Sequence, residues 1–275
     1  MAEAPAVGRG SALPIYLRMV RARIRADWQY RTSFVLYLLA QTLVAGLDFA
    51  QIAVIFTNVD QLAGWSVREV GFLYGASGLA FGLADLFVSP IDRAGSHIKA
   101  GTFDGFLVRP LGTVWQLLAA EFGLRRLGRA IQPAIVLGVV VATVDVEWSP
   151  AKVALVPITV VCGTVIYGSL WVLTTAPTFW AVDALEVANS FTYGGQHMSQ
   201  YPLDLMGRWL RRAATFVVPL ASVAYLPAAW LFDKPLPFGL PAAAAWSGPL
   251  VALAMLTLAR ASWAIAIRHH RSTGS

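Results

Sequence analysis

Residues Val153 to Ala176 read VALVPITVVCGTVIYGSLWVLTTA, a stretch with one buried-type cysteine and no full charge after Lys152. An α-helix of this composition suits a bilayer, where about 20 apolar residues clear the hydrocarbon core. Five further runs resemble it in length and hydropathy: Ser33 to Phe56, Val70 to Val88, Ala130 to Val144, Ala213 to Phe232 and Trp246 to Ile267. Ala130 to Val144 is short unless its start reaches back into the preceding basic stretch. The expected fold is an all-α integral membrane protein with six transmembrane helices. Residues 1–32 form a cytoplasmic tail and interfacial helix, 33–267 the six-span domain and 268–275 a second cytoplasmic tail.

The cations agree with this reading. Of 21 Lys and Arg residues, 18 fall in alternate gaps: six before the first run, six between the second and third, three between the fourth and fifth (Arg208, Arg211, Arg212), and three at the C-terminal end. Arg68, Lys152 and Lys234 occupy the other gaps. Cytoplasmic loops retain Lys and Arg during insertion, so the split predicts that both termini are inside.

Composition excludes several other classes. The chain is 57% hydrophobic and 13% charged, where a soluble domain carries about 25% charged residues. The net charge of +6 therefore reads as a topology signal and not as a nucleic-acid footprint, which gathers its basic residues on one wetted face. Cys162 is the only cysteine, so a disulfide framework or a cysteine metal site within one chain is impossible. The first apolar run starts some thirty residues in and lacks the form of a cleavable signal. No loop is long enough for a soluble domain of about 100 residues. None of Lys99, Lys152 and Lys234 follows the glycine spacing of a phosphate-binding loop. Any ATP used must be hydrolysed by another chain.

Two cytoplasmic segments carry patterns of their own. Leu17, Val20, Ile24 and Trp28 recur at helical spacing among Arg18, Arg21, Arg23 and Arg25, the pattern of an amphipathic helix lying along headgroups. It serves either as an elbow touching a cytoplasmic partner or as an anchor alone. Between the second and third runs, Phe103, Phe106 and Leu107 stand at i, i+3, i+4 and would line one face of a short helix. Pro110 disfavours helical backbone at Arg109, so that helix should stop there. Such a helix fits a groove on another protein, or its apolar face rests on the bilayer.

Ionisable residues within spans are costly and are functional candidates by default. Asp48 and Asp85 are the acids well inside confident runs; each lines a translocation path or orders a polar network at an interface. Gly75-Ala-Ser-Gly78 matches the serine motif of an intramembrane protease, yet His97, His197, His269 and His270 all lie in cytoplasmic segments or at a span end. Without a base the motif reads as small-residue helix packing. No histidine and carboxylate spacing suggests a metal site. Pro219 and Pro227 interrupt the fifth run and Pro235, Pro237 and Pro241 follow it. A broken fifth span is expected, with a re-entrant or short-helical segment up to Trp246.

The segment Gly101-Thr-Phe-Asp104-Gly-Phe-Leu107-Val-Arg109-Pro110-Leu111 resembles the Gly-x-x-Asp-x-x-Leu-x-Arg-Pro-Leu signature of ABC-2 type transporter permeases. A second likeness follows the fourth run, in Gln200-Tyr201-Pro202, Arg211, Pro219 and Tyr225-Leu-Pro227-Ala228, which is similar to a subgroup of actinobacterial and related permeases. The resemblance implies a multi-pass subunit of the bacterial plasma membrane. It would dimerise with a second permease, more often a different one than an identical one, and dock separately encoded ABC ATPase subunits that hold ATP and Mg. It also implies an N-terminal elbow helix and a coupling helix in the loop after the second span. That role falls here on Gly101, Phe103, Asp104, Phe106, Leu107, Arg109 and Pro110. The chain itself would need no cofactor and no catalytic residue, and would work as an exporter. The rival reading is a proton- or ion-coupled secondary transporter with Asp48 or Asp85 as carrier, though the chain shows no convincing internal repeat. A membrane enzyme lacks any complete catalytic constellation.

Overall fold

A computed structural model describes residues 12–29, 31–109, 111–181 and 184–269. Pro110, residues 30, 182 and 183, the chain before residue 12 and the chain after residue 269 lie outside the described residues, and with them most of the expected C-terminal tail and the start of the N-terminal one. Every regular element among the described residues is helical: α1 Ala12–Gln29, α2 Arg31–Phe56, α3 Val67–Phe87, α4 Arg93–Lys99, α5 Asp104–Leu107, α6 Thr113–Ala120, α7 Gly128–Thr143, α8 Pro150–Thr175, α9 Ala184–Ser199, α10 Arg208–Arg212, α11 Tyr225–Leu231 and α12 Gly248–His269.

Five helices are long and apolar enough to cross a bilayer. They are α2, α3, α8, α12 and the continuous stretch Leu124–Thr143, in which a 3₁₀ turn over Leu124–Leu127 leads into α7. The third run does reach back into its basic flank. Local chemistry sets the starts of α3 and α8. Ser66 and Glu69 form a reciprocal capping box at α3, and Ser149 accepts the Lys152 amide ahead of Pro150 at α8, satisfying donors that helix ends otherwise leave open.

Helix α3 is the centre of the bundle. It packs between α7 and α8; α2 lies outside on α7, and α12 outside on α8. The α3–α7 seam is a small-residue contact. A methyl group on Gly75 would stand 2.8 Å from the Leu137 amide nitrogen, and one on Gly82 would stand 2.7 Å from Ala130 Cα. The Gly75 to Gly78 motif is therefore a packing surface, and Ser77 within it is buried 3.1 Å from the Tyr167 hydroxyl. Replacing Gly82 with Leu should force the helices apart, an overpacking cost of ~1–3 kcal/mol. Thermal unfolding in detergent should show a lowered midpoint for Gly82→Leu and none for Gly138→Ala, whose surroundings are open.

The fifth run departs from expectation. Ala213 to Phe232 is not one helix: a π turn over Ala213–Val217 ends in extended Val218 and Pro219, a 3₁₀ turn covers Leu220–Ser222, and α11 starts after Ala224. Pro219 breaks the chain because it has no N–H to donate and clashes with a preceding turn. Pro227 does not interrupt a helix; it sits in the first turn of α11, where its missing donor costs nothing.

A different segment runs the length of the bundle here. Helix α9 lies antiparallel to α8: Thr192 is 3.4 Å from Thr174, Tyr193 packs on Trp171, and Ser199 hydrogen bonds Tyr167. The chain then reaches Asp204, which accepts from Trp65 at the start of α3 at 3.1 Å and from Tyr225 at 2.6 Å. Arg211 pairs with Asp204 at 2.9 Å, and Arg211 and Arg212 lie over Phe238. These arginines stand with Lys152, Asp233 and Lys234, at the opposite end from Arg93, Arg125 and Arg126. Their assignment by sequence to the same end as those residues is corrected, and the split by gap becomes fifteen to six. The misplacement arises because α9, ALEVANSFTYGGQHMS, is too polar to stand out as an apolar run. In a Cys162→Ala background, a membrane-impermeant maleimide should label Arg208→Cys from the same side as Lys234→Cys. Labelling together with Arg125→Cys would restore the crossing to Ala213–Phe232.

Candidate functional site

The loop that follows α3 is built by the residues that the sequence singled out. After α4 the chain turns at Gly101, whose φ of +66° is a backbone region that glycine enters without a steric penalty. This turn lets the amides of Thr102 and Phe103 both donate to the His97 carbonyl, at 2.9 and 3.2 Å. His97 Nδ1 stands 2.9 Å from Thr102 Oγ1, and its ring packs on Phe106. Asp104 opens the single-turn α5, where a carboxylate favours the helix N-terminus.

The expected shared face of Phe103, Phe106 and Leu107 splits in two. Phe103 and Phe106 are 1% and 8% exposed and point into the protein, whereas Leu107 and Val108 are 38% and 80% exposed. Arg109 is also exposed, with its guanidinium 5.9 Å from the Phe106 ring. The reason is an aromatic column. Phe103 packs edge-on to Phe179 at 5.1 Å, Phe179 packs on Trp263 at 5.3 Å, and Trp263 donates to Thr113 Oγ1 at 3.2 Å. Gln116, buried in α6, donates to the carbonyls of Phe106 at 2.8 Å and of Leu111. The surface left facing outward is Leu107, Val108 and Arg109. Val108 and Gln116 were not selected from the sequence. Nothing in the pattern of a single valine or glutamine marks exposure or clamping.

Helix α1 packs along α6. Tyr16 meets Trp115 at 5.3 Å, Arg23 donates to the Ala120 carbonyl, and Asp27 accepts the Leu124 amide at 3.1 Å. The N-terminal helix is thus tied to the same loop assembly, with Leu17 and Trp28 still exposed.

Asp48 and Asp85 line two neighbouring cavities bounded by α2, α3, α7 and α9. Asp48 lies in the first, of about 200 Å³, with Tyr74, Pro133, Gln196 and His197. Asp85 lies in the second, of about 350 Å³, with Asp92, Arg93, Arg125 and Arg126. Gln41, Arg129 and Tyr193 border both. Asp85 is 4% exposed and pairs with Arg129 at 3.2 Å, while its carbonyl accepts from Ser89 at 2.7 Å and Arg126 at 3.2 Å. Asp85 is thus held in a polar network with α7. The polar face of α9, which is no apolar run in the sequence, supplies Tyr193, Gln196 and His197 to these walls.

Asp92 follows the end of α3 and accepts from Trp171 at 3.1 Å and Thr175 at 3.0 Å. Burial pushes its carboxyl up to about 6 from an ordinary 3.8, against the opposing pull of those two donors and Arg126. A carboxyl raised on folding stabilises the protein below its unfolded value, and that contribution is lost as pH rises through the folded value. The unfolding midpoint should therefore gain more between pH 7 and pH 5 in the parent chain than in Asp92→Asn. Identical pH profiles for the two proteins would remove Asp92 from this role.

No group of three or more metal-ligating side chains gathers among the described residues. A family model described as ABC-2 family transporter protein matches residues 42–274, spanning every helix from the middle of α2 onward. No curated protein and no solved structure matches the chain.

Proposed function

The chain belongs to the ABC-2 family of transporter proteins, and from that premise we propose that it is a permease half which exports its substrate using ATP hydrolysed by separately encoded ABC ATPase subunits. One observation carries the coupling: Leu107, Val108 and Arg109 project from a turn whose other side is fixed to the protein interior by Phe103, Phe106 and Gln116. A short apolar tip with one cation is suited to a cleft on a partner. Movement of the tip has a packed route to the spans. Phe103 bears on Phe179 in the 3₁₀ turn Ala176–Phe179 that continues α8, and Phe179 bears on Trp263 in α12.

In this reading ATP binding closes the partner ATPases and displaces the tip. The displacement biases two arrangements of the spans about a permease–permease interface, which is formed with a second permease of a different kind. Energy enters as the differential stability of two conformations. The permease supplies no catalytic group, and ATP and Mg stay with the partner. Helix α9 is the sixth crossing, both termini lie in the cytoplasm of a bacterial cell, and the cavities beside Asp48 and Asp85 belong to the path. A gradient-driven carrier would use one of these acids as its proton site; the commitment of Asp85 to Arg129 at 3.2 Å weighs against that acid.

The geometry separates contact from support. Val108→Glu should leave the protein folded and lower ATP hydrolysis by the assembled complex by tenfold or more, since a central interface side chain carries ~2 kcal/mol or more. Phe106→Glu should instead lower the unfolding midpoint, because it places a carboxylate in the aromatic interior. Full ATPase coupling in a folded Val108→Glu complex would remove this loop as the docking element. Substrate movement on a proton gradient with no ATPase present would favour the carrier reading.

A further inference from the structure

The larger of the two cavities has a composition that transport alone does not explain. Its walls bring together the guanidinium groups of Arg93, Arg125, Arg126 and Arg129 with the carboxylates of Asp85 and Asp92. Asp85 is taken by Arg129 at 3.2 Å. Both Asp92 oxygens are taken, one by Trp171 and one by Thr175. Among the described residues, Arg93, Arg125 and Arg126 form no salt bridge. Arg126 instead donates to Ser89 and to the Asp85 carbonyl. Arg125 rests over the Tyr37 ring at 5.7 Å, a contact that consumes no acceptor. The cavity therefore holds an excess of directed cationic donors, joined by the hydroxyl of Tyr37.

We propose that this cavity binds the phosphate of an anionic phospholipid headgroup from the leaflet at the basic end of the bundle. Arginine forks match the oxygens of a phosphate with paired, charge-assisted hydrogen bonds. Basic pockets between spans bind headgroups of this kind. The position selects lipid over a soluble anion. One wall is the first third of α2, and the side chains beside it, Val35, Leu36 and Leu39, are exposed apolar groups. Acyl chains against that surface would place their headgroup at the level of Tyr37 and Arg125. The volume of about 350 Å³ falls within the range of small-ligand sites. This inference does not depend on how the permease is energised.

The full chain in mild detergent tests it. Phosphatidylglycerol, phosphatidylcholine and glycerol 3-phosphate would each be titrated while lipid adducts are followed by native mass spectrometry and unfolding by scanning fluorimetry. Phosphatidylglycerol should form a defined adduct and raise the unfolding midpoint. Arg93→Gln with Arg125→Gln should weaken it by roughly thirtyfold, as each basic group near a lipid surface contributes about 1 kcal/mol. Both arginines are exposed, so the lipid-free midpoint should hold; if the pair lowers it, Arg93→Gln alone carries the comparison. Equal phosphatidylglycerol affinity in parent and variant, or equal affinity for phosphatidylcholine, overturns the proposal. Displacement of the lipid adduct by glycerol 3-phosphate keeps the phosphate site and overturns its assignment to lipid.

Discussion

Helix α3 can occupy the centre of this protein only because α7 approaches it without side chains in the way. At Gly75 and Gly82 there is no room for even a methyl group. In a bilayer the lipid is as apolar as leucine, so helices gain nothing by burying more of it. Association rests on close contact and on polar groups that find partners. The seam supplies the contact, and Tyr74 to Gln132 at 2.8 Å and Asp85 to Arg129 at 3.2 Å supply the polar pairs across it. Both pairs join α3 to α7, so the same approach that closes the helices also neutralises their polar groups.

That arrangement has an electrostatic consequence. A buried ion pair recovers its desolvation cost only when further hydrogen bonds satisfy it. Around Asp85 this happens unevenly: the carboxylate meets one arginine, while two more donors, Ser89 and Arg126, go to its backbone carbonyl. The arginines that line the cavity outnumber the acids available to them. The excess is held at the end of the bundle where α3 finishes and α7 begins, beside the outer helix α2. The structural core and the cationic cavity are thus two sides of one helix contact.

How much of this was legible in the sequence depended on whether a feature was local. Val153 to Ala176 announces a span because every residue in it is compatible with lipid, and Pro110 announces the end of the short helix before it because proline disfavours helical backbone at the preceding residue. The motif residues Gly101 to Arg109 do form one compact turn. The direction of Phe103 and Phe106 was not legible: helical spacing shows that two rings share a face, and Phe179 and Trp263, far along the chain, decide where that face points. Helix α9 was missed for the complementary reason. Its Thr192, Tyr193, Gln196 and Ser199 face protein partners and cavity walls, so it never had to be apolar. A run of lipid-compatible residues is therefore not how it is written in the sequence.

The aromatic column gives the loop a mechanical character that a tethered peptide would lack. A tip hanging on flexible backbone would absorb a push from a partner as local rearrangement, because loop torsions are soft. Here Gln116 holds the carbonyls on both sides of the tip, and the rings of Phe103, Phe179 and Trp263 stand in edge-to-face contact behind it. Close-packed interiors have low compressibility and transmit strain. A displacement of Leu107 to Arg109 must therefore shift the end of α8 and the last turns of α12, or unpack the rings. The first is the cheaper course, since unpacking exposes large apolar surface while a rigid shift keeps every ring contact. The loop is in this sense packed as an extension of α8 and α12, and in the proposed reading its exposed tip is where a partner bears on them.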